Sequence, residues 1–192
     1  MNNFSFSSTK DLSLFLKNEK NKKILILCGD KSYKASGADK LINNLITNQN
    51  TQYYFKKFPY PDLNELKHII SLIKNFLPDL IIAVGGGSVL DYAKIANVLT
   101  DSHNLDDEIT NSTYKIKQKF TKLVAIPTTA GSGAEVTSNA VIYIDKIKYS
   151  VEGEQLRPDF FFLIPELVIG ASNKIKSSAG FDAIAQAMES LI

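Results

Sequence analysis

Arginine is almost missing from this 192-residue chain: Arg157 stands alone. Bidentate guanidinium clamps on phosphate are therefore nearly unavailable, and a phosphate has to be held by backbone amides or lysine. Cys28 is the single cysteine, so neither an intramolecular disulfide nor a thiolate metal cluster can form. Its place at the end of Ile24-Leu25-Ile26-Leu27-Cys28 reads as a small buried hydrophobe. Imidazole is scarce too. His68, on the polar side of a helical pattern, and His103, in a polar loop, are the only histidines, and no Ser-His-Asp or Cys-His arrangement can be argued from them. An excess of one charge is lacking: 22 Lys and Arg stand against 20 Asp and Glu, a net of +2. That leaves nucleic-acid and membrane-surface binding without support. The longest apolar runs, residues 80–84 and 160–164, are far shorter than a membrane span. Met1-Asn2-Asn3-Phe4-Ser5 has neither the basic start nor the apolar core of a signal peptide. A soluble, cytoplasmic protein is expected.

What is present is an ordinary globular composition, 44% apolar and 22% charged, enough to bury roughly 70% of the unfolded surface at this size. Apolar strand-like runs at 24–28, 51–58, 80–84 and 122–126 alternate with helical spacings at 38–47, 62–76 and 89–99. That rhythm implies an α/β fold: a Rossmann-like parallel sheet with helices on both faces. After Pro127 the pattern changes. Residues 136–144 and 148–151 suggest a hairpin around Asp145-Lys146, 160–164 one more strand, and 177–192 a helix. Residues 101–119 read as a polar loop. The expected division is a dinucleotide-binding α/β domain over 1–175 and, over 176–192, the first helix of an all-helical domain that the chain does not complete.

Three stretches can carry chemistry. Gly85-Gly86-Gly87-Ser88 lies between a buried strand and a helix start, where small residues let a ligand approach the backbone and the helix amides attract an anion. A tight strand-to-helix turn without a ligand would use the same residues. Asp91 is expected in the first helical turn, complementing the dipole. Asp30 closes the first strand, where acidic residues meet ribose hydroxyls in dinucleotide folds, although the spaced glycines of that fold are absent there. The second stretch runs from Pro127 to Thr137. Its small residues and hydroxyls, among them Thr128, Thr129 and Ser132, suit a flat ligand, and equally a solvated loop. In the third, Asp182, Gln186 and Glu189 share one face of the last helix. A carboxylate and an amide oxygen one turn apart could hold a divalent cation, or simply form a polar face.

Taken together, PDLIIAVGGGSVLDYAK (residues 78–94), AIPTTAGSGAEVT (125–137), Lys148 before Tyr149-Ser150, and SAGFDAIAQAMES (178–190) resemble the iron-containing (group III) alcohol dehydrogenase family. The resemblance implies reversible hydride transfer between a nicotinamide and a small alcohol or aldehyde, with a divalent metal, iron or zinc, polarising the substrate oxygen. It implies that Gly85, Gly86, Gly87 and Ser88 hold the cofactor pyrophosphate with Asp91 nearby. Asp30 would meet the adenosine ribose, Thr128, Thr129 and Ser132 the nicotinamide side, and Lys148 the nicotinamide ribose. Asp182 matches the first metal ligand. Asp30 would repel a 2′-phosphate, which favours NAD over NADP.

The departures are informative. Most members place a histidine four residues after that aspartate; here it is Gln186, a poorer ligand for iron or zinc. Glutamine in this context resembles the phosphonoacetaldehyde reductase subgroup. The strand that usually ends in an acidic residue before proline ends in Ile164-Pro165, and Ser172-Asn173 replaces the usual proline pair. Family members continue into a helical domain carrying two more metal-binding histidines. Two expectations follow: a cofactor-binding half that needs further chain or a partner to be active, or a remnant that binds nucleotide or a partner without turnover.

Overall fold

The computed structural model describes residues 5–6, 8–19, 23–47 and 49–191. The N-terminal residues 1–4, tested above for a leader, and Ile192, the end of the last expected helix, lie outside the described residues. Six strands form the main sheet: β1 (Ser5–Phe6), β2 (Lys23–Gly29), β3 (Asn50–Lys56), β4 (Leu80–Gly85), β5 (Lys122–Pro127) and, after a hairpin, β8 (Phe160–Phe162). Their spatial order is β1-β8-β5-β4-β2-β3, and every pairing is parallel. The hairpin, β6 (Asn139–Ile144) and β7 (Ile147–Glu152), is separate and antiparallel. Asp145 and Lys146 turn it with φ of 48° and 68°, the twist that a two-residue hairpin favours.

A parallel sheet needs cover on both faces, which is why its central strands are apolar beyond Lys23 and Lys122 at their starts. Side chains alternate between two cores. Leu25, Leu27, Ile81, Ala83, Leu123 and Ala125 pack under α4 (Leu63–Phe76) and α5 (Gly87–Val98). Ile24, Ile26, Cys28, Ile82, Val84, Val124 and Ile126 pack under α1 (Thr9–Asn18), α2 (Asp30–Ala35) and α3 (Ala38–Leu45). Full burial of each such residue contributes roughly 1.5–3 kcal/mol. Burial pushes the Cys28 thiol up to about 12, the behaviour of an inert packing residue.

The order places β2 between β3, which follows it, and β4, which follows β3. Chain connections leave β2 and β4 on opposite faces, so a crevice opens between their C-terminal ends, at Gly29 and Gly85. Open α/β sheets bind ligands at such a switch point.

The helices depart from the sequence reading at their ends. Helix α8 (Asn173–Glu189) starts earlier than 177, because the Ser172 hydroxyl caps it by accepting from the Ile175 amide. The expected domain division at 175/176 therefore falls inside its first turn. Four short helices were not legible; three of them run six residues or fewer, too short for an apolar repeat to show. They are α1, α2, α6 (Leu105–Thr110) and α7 (Glu166–Ile169). The stretch 101–119 thus holds α6 and is more than a polar loop. Strand β8 stops at Phe162, short of 164.

Helix α4 is the best capped. Asp62 Oδ1 accepts from the amides of Asn64 (2.9 Å) and Glu65 (3.2 Å). Asp62→Ala should lower stability by about 1 kcal/mol in urea unfolding, while Asp62→Asn keeps most of it.

Candidate functional site

The turn after β4 is closely packed at each of its three glycines. A Cβ on Gly85 would come within 2.6 Å of Val89 Cγ2, one on Gly86 within 3.1 Å of Thr129 Oγ1, and one on Gly87 within 2.8 Å of Ser132 Oγ. The loop after β5 thus lies directly against the start of α5, and the Thr128 amide donates to Gly85 O at 2.9 Å. The amides of Gly87 and Ser88, at the start of α5, have no intrahelical acceptor, and both residues lie at the switch point.

Behind the turn a lysine sets the spacing. Lys94, on α5, is fully buried, and its ammonium donates to Ala134 O and Thr137 Oγ1, both at 2.9 Å. Burial pulls this ammonium down to about 8, and Asp91 and Glu135 counteract the shift. The opposite wall rests on a buried carboxylate. Glu65 accepts from the hydroxyls of Tyr54 (3.2 Å) and Tyr92 (2.7 Å) and from the amides of Lys57 (2.6 Å) and Phe58 (3.2 Å). The Tyr92 hydroxyl in turn accepts from the Asp62 amide at 2.6 Å. These bonds fix the segment from Phe58 to Asp62, which carries Pro59, Tyr60 and Pro61 over the turn.

Between the walls lies a cleft of about 600 Å³ that brings together Gly87, Ser88, Asp91, Thr129, Ser132, Lys148 and Asp182. Gly86 abuts it through Thr129. Thr128 and Gly85 are buried just behind, and Asp30 is exposed at the first residue of α2, beside the end of β2. Asp91 stands in the second turn of α5, a correction to the first-turn expectation: the helix begins at Gly87, so the dipole argument does not reach it. Burial pushes its carboxyl up to about 6 against the pull of Lys94, the Val141 amide and Lys148. His68 and His103 are both exposed, away from this cleft. A larger cleft of about 790 Å³ opens at the other end of α5, around Thr100, Glu108 and Phe120, and holds none of the expected site residues.

Helix α8 lines one side of the cleft. Its backbone rides on Gly131, where a Cβ would come within 2.5 Å of Ala179 O. Asp182 reaches the cleft; Gln186, one turn on, is exposed and donates from Nε2 to Asp182 Oδ1 at 3.2 Å. A protein metal site takes about three ligands with a further position open. Among the described residues no group of three or more His, Cys, Asp or Glu side chains gathers. Two donors, one a neutral amide, do not form a metal site by themselves.

Comparison with known proteins decides the lineage. The family model for iron-containing alcohol dehydrogenases matches residues 3–165. The chain belongs to this family. It is 33% identical over 179 residues to the 1-propanol dehydrogenase PduQ of Citrobacter freundii, covering 92% of this chain and 45% of that protein. It is 32% identical over 135 residues to an alcohol dehydrogenase of Thermococcus barophilus, covering 67% of this chain and 36% of the relative. Among solved structures, the NADH-dependent butanol dehydrogenase A of Thermotoga maritima superposes with a TM-score of 0.86 at 22% identity, covering 97% of this chain and 48% of that one. The chain spans less than half the length of these relatives. The α/β sheet expected from the sequence is thus the fold of the N-terminal half of an iron-containing alcohol dehydrogenase.

Several residues that line or support the cleft escaped the sequence reading. Lys94 left a signal, a lone lysine inside the otherwise buried stretch Tyr92-Ala93-Lys94-Ile95-Ala96. Glu65 left none, nor did Tyr60 and Tyr143, whose rings meet at 5.0 Å in the cleft wall, because their partners are far away in the chain.

Asp91 yields a pH-dependent expectation. Its carboxyl holds a proton to about 6 when folded and to 3.8 when unfolded. Folding takes up a proton between these values, so stability falls as pH rises through the window. Asp91→Asn should flatten that fall and be about 1–2 kcal/mol more stable than wild type at neutral pH, read by urea unfolding across the window.

Proposed function

We propose that this chain supplies the nucleotide-binding part of a cytoplasmic, NAD-dependent and metal-dependent alcohol dehydrogenase or aldehyde reductase. The observation that carries the reading is the glycine turn at the switch point, packed closely against a hydroxyl-bearing loop. The amides of Gly86, Gly87 and Ser88 would receive the cofactor pyrophosphate. Thr128, Thr129 and Ser132 would hold the nicotinamide side, and Lys148 its ribose. Asp30 would accept from the adenosine ribose hydroxyls and repel a 2′-phosphate, which favours NAD. Bound there, the nicotinamide supplies hydride transfer to or from a small alcohol or aldehyde. The context of Gln186 supports phosphonoacetaldehyde as one substrate to try.

Asp182 would give one ligand to a divalent iron or zinc, and Gln186 a weaker one. Completing such a site takes donors from a partner or from further chain. Exposed apolar side chains on α8, Phe181 at 72% and Met188 at 63%, support a covering partner of that kind. A second reading, nucleotide binding without turnover, draws support from the same two-donor set.

Two measurements test this reading. Gly86→Val puts methyl groups into the gap toward Thr129 and should abolish NADH binding, followed by nucleotide fluorescence, in a variant that still melts cooperatively. Unchanged affinity would reduce the turn to a structural feature, and tighter binding of NADPH than NADH would remove the role of Asp30. The 192 residues alone, given NADH, Fe²⁺ or Zn²⁺ and short aldehydes, should oxidise no more NADH than the Asp182→Ala control, because the metal lacks its remaining ligands.

A further inference from the structure

Lys56 ends β3 opposite Gly29 of β2, and its side chain emerges on the face that Tyr54 shares with α4 and α5. From there it reaches past the end of β2 to the first turn of α5. Its ammonium donates to Ser88 Oγ at 2.6 Å and to Pro59 O at 3.1 Å. It therefore spans the crevice in which the cofactor of the proposed function would lie. Its two partners are neutral, and among the described residues it forms no ion pair. Burial lowers its pKa, opposed by Glu65. A partly desolvated ammonium held by a hydroxyl and a carbonyl still has one N–H to give, and an anion is the partner that offsets its lost hydration.

We infer that Lys56 is a further cofactor-binding residue, which reaches across β2 and donates to the diphosphate that the Gly86–Ser88 backbone receives. The inference rests on the proposed cofactor site and adds to it a positive charge at the Gly86–Ser88 turn, supplied from β3. Lysine is here the side chain long enough to cross a neighbouring strand and place a compact charge beside Ser88. The bond to Ser88 Oγ holds the ammonium at the turn before any ligand arrives, so little side-chain freedom is lost on binding.

The test uses the 192-residue chain with ADP, which carries the diphosphate, and with NADH and NADPH, all by calorimetric titration. Lys56→Gln keeps a donor toward Ser88 and removes the charge; Lys56→Arg keeps the charge. We expect Lys56→Gln to bind ADP and NADH about 10-fold more weakly and with less dependence on ionic strength. Lys56→Arg should recover most of the affinity, and both variants should melt cooperatively. If Lys56→Gln fails to fold, Lys56→Met is read by the same criterion. ADP affinity within about twofold of wild type would overturn the inference. So would a loss confined to NADPH, which would move the lysine from the diphosphate to the 2′-phosphate. Those results, alongside NADH binding that Gly86→Val abolishes, leave the cofactor site standing and remove Lys56 from it. No binding of ADP or NADH by wild type overturns both.

Discussion

The cleft depends on one buried ammonium. Lys94 ties α5 to the loop that faces its start, and the two hydrogen bonds to Ala134 O and Thr137 Oγ1 set how far apart these elements stand. Burying an amine costs free energy, which is why the group gives up its proton so readily. The cost is borne because the bonds are made inside, where an unmade one would be expensive, and because Asp91 one turn away contributes opposite charge. Without that link the glycines of the turn and the threonines of the loop would have no reason to meet at van der Waals distance.

The other wall uses the opposite sign. Glu65 is 2% exposed, and the four donors that hold it are all neutral. Its carboxylate gathers the segment after β3 onto α4, and Tyr92 carries that hold across to α5. Two buried charges, one on each side of the turn, thus position two irregular segments that have little regular hydrogen bonding of their own. Irregular backbone is where ligand-binding geometry is usually carried, provided that a rigid frame supports it. The frame here is the sheet, whose central strands are buried on both faces.

Helix α8 is held differently. It meets the rest of the chain through the backbone contact of Ala179 with Gly131, and its side chains stay largely in solvent. Its position is set by the absence of a side chain on Gly131. Asp182 comes to the cleft as a consequence, while Gln186 lies one turn farther along and outside it.

The sequence alone determined the alternation of strands and helices, because full burial demands continuous apolar runs at β2, β4 and β5 and a regular apolar stripe on α4. It also marked Gly85–Ser88 and the 127–137 loop, since clustered glycine and hydroxyl residues leave a local trace. It did not reveal the short helices α1, α2, α6 and α7, three of which are too short to repeat an apolar spacing. It put Asp91 in a first turn, whereas the start of the helix depended on how the glycine turn packs. What only the tertiary structure decided was which charges face the cleft. Lys56 meets Ser88 across 32 positions, Lys94 meets Thr137 across 43, and Tyr92 meets Glu65 across 27. Parallel strands bring such distant residues to one edge of the sheet, and the crossover connections that do so leave no pattern at short range.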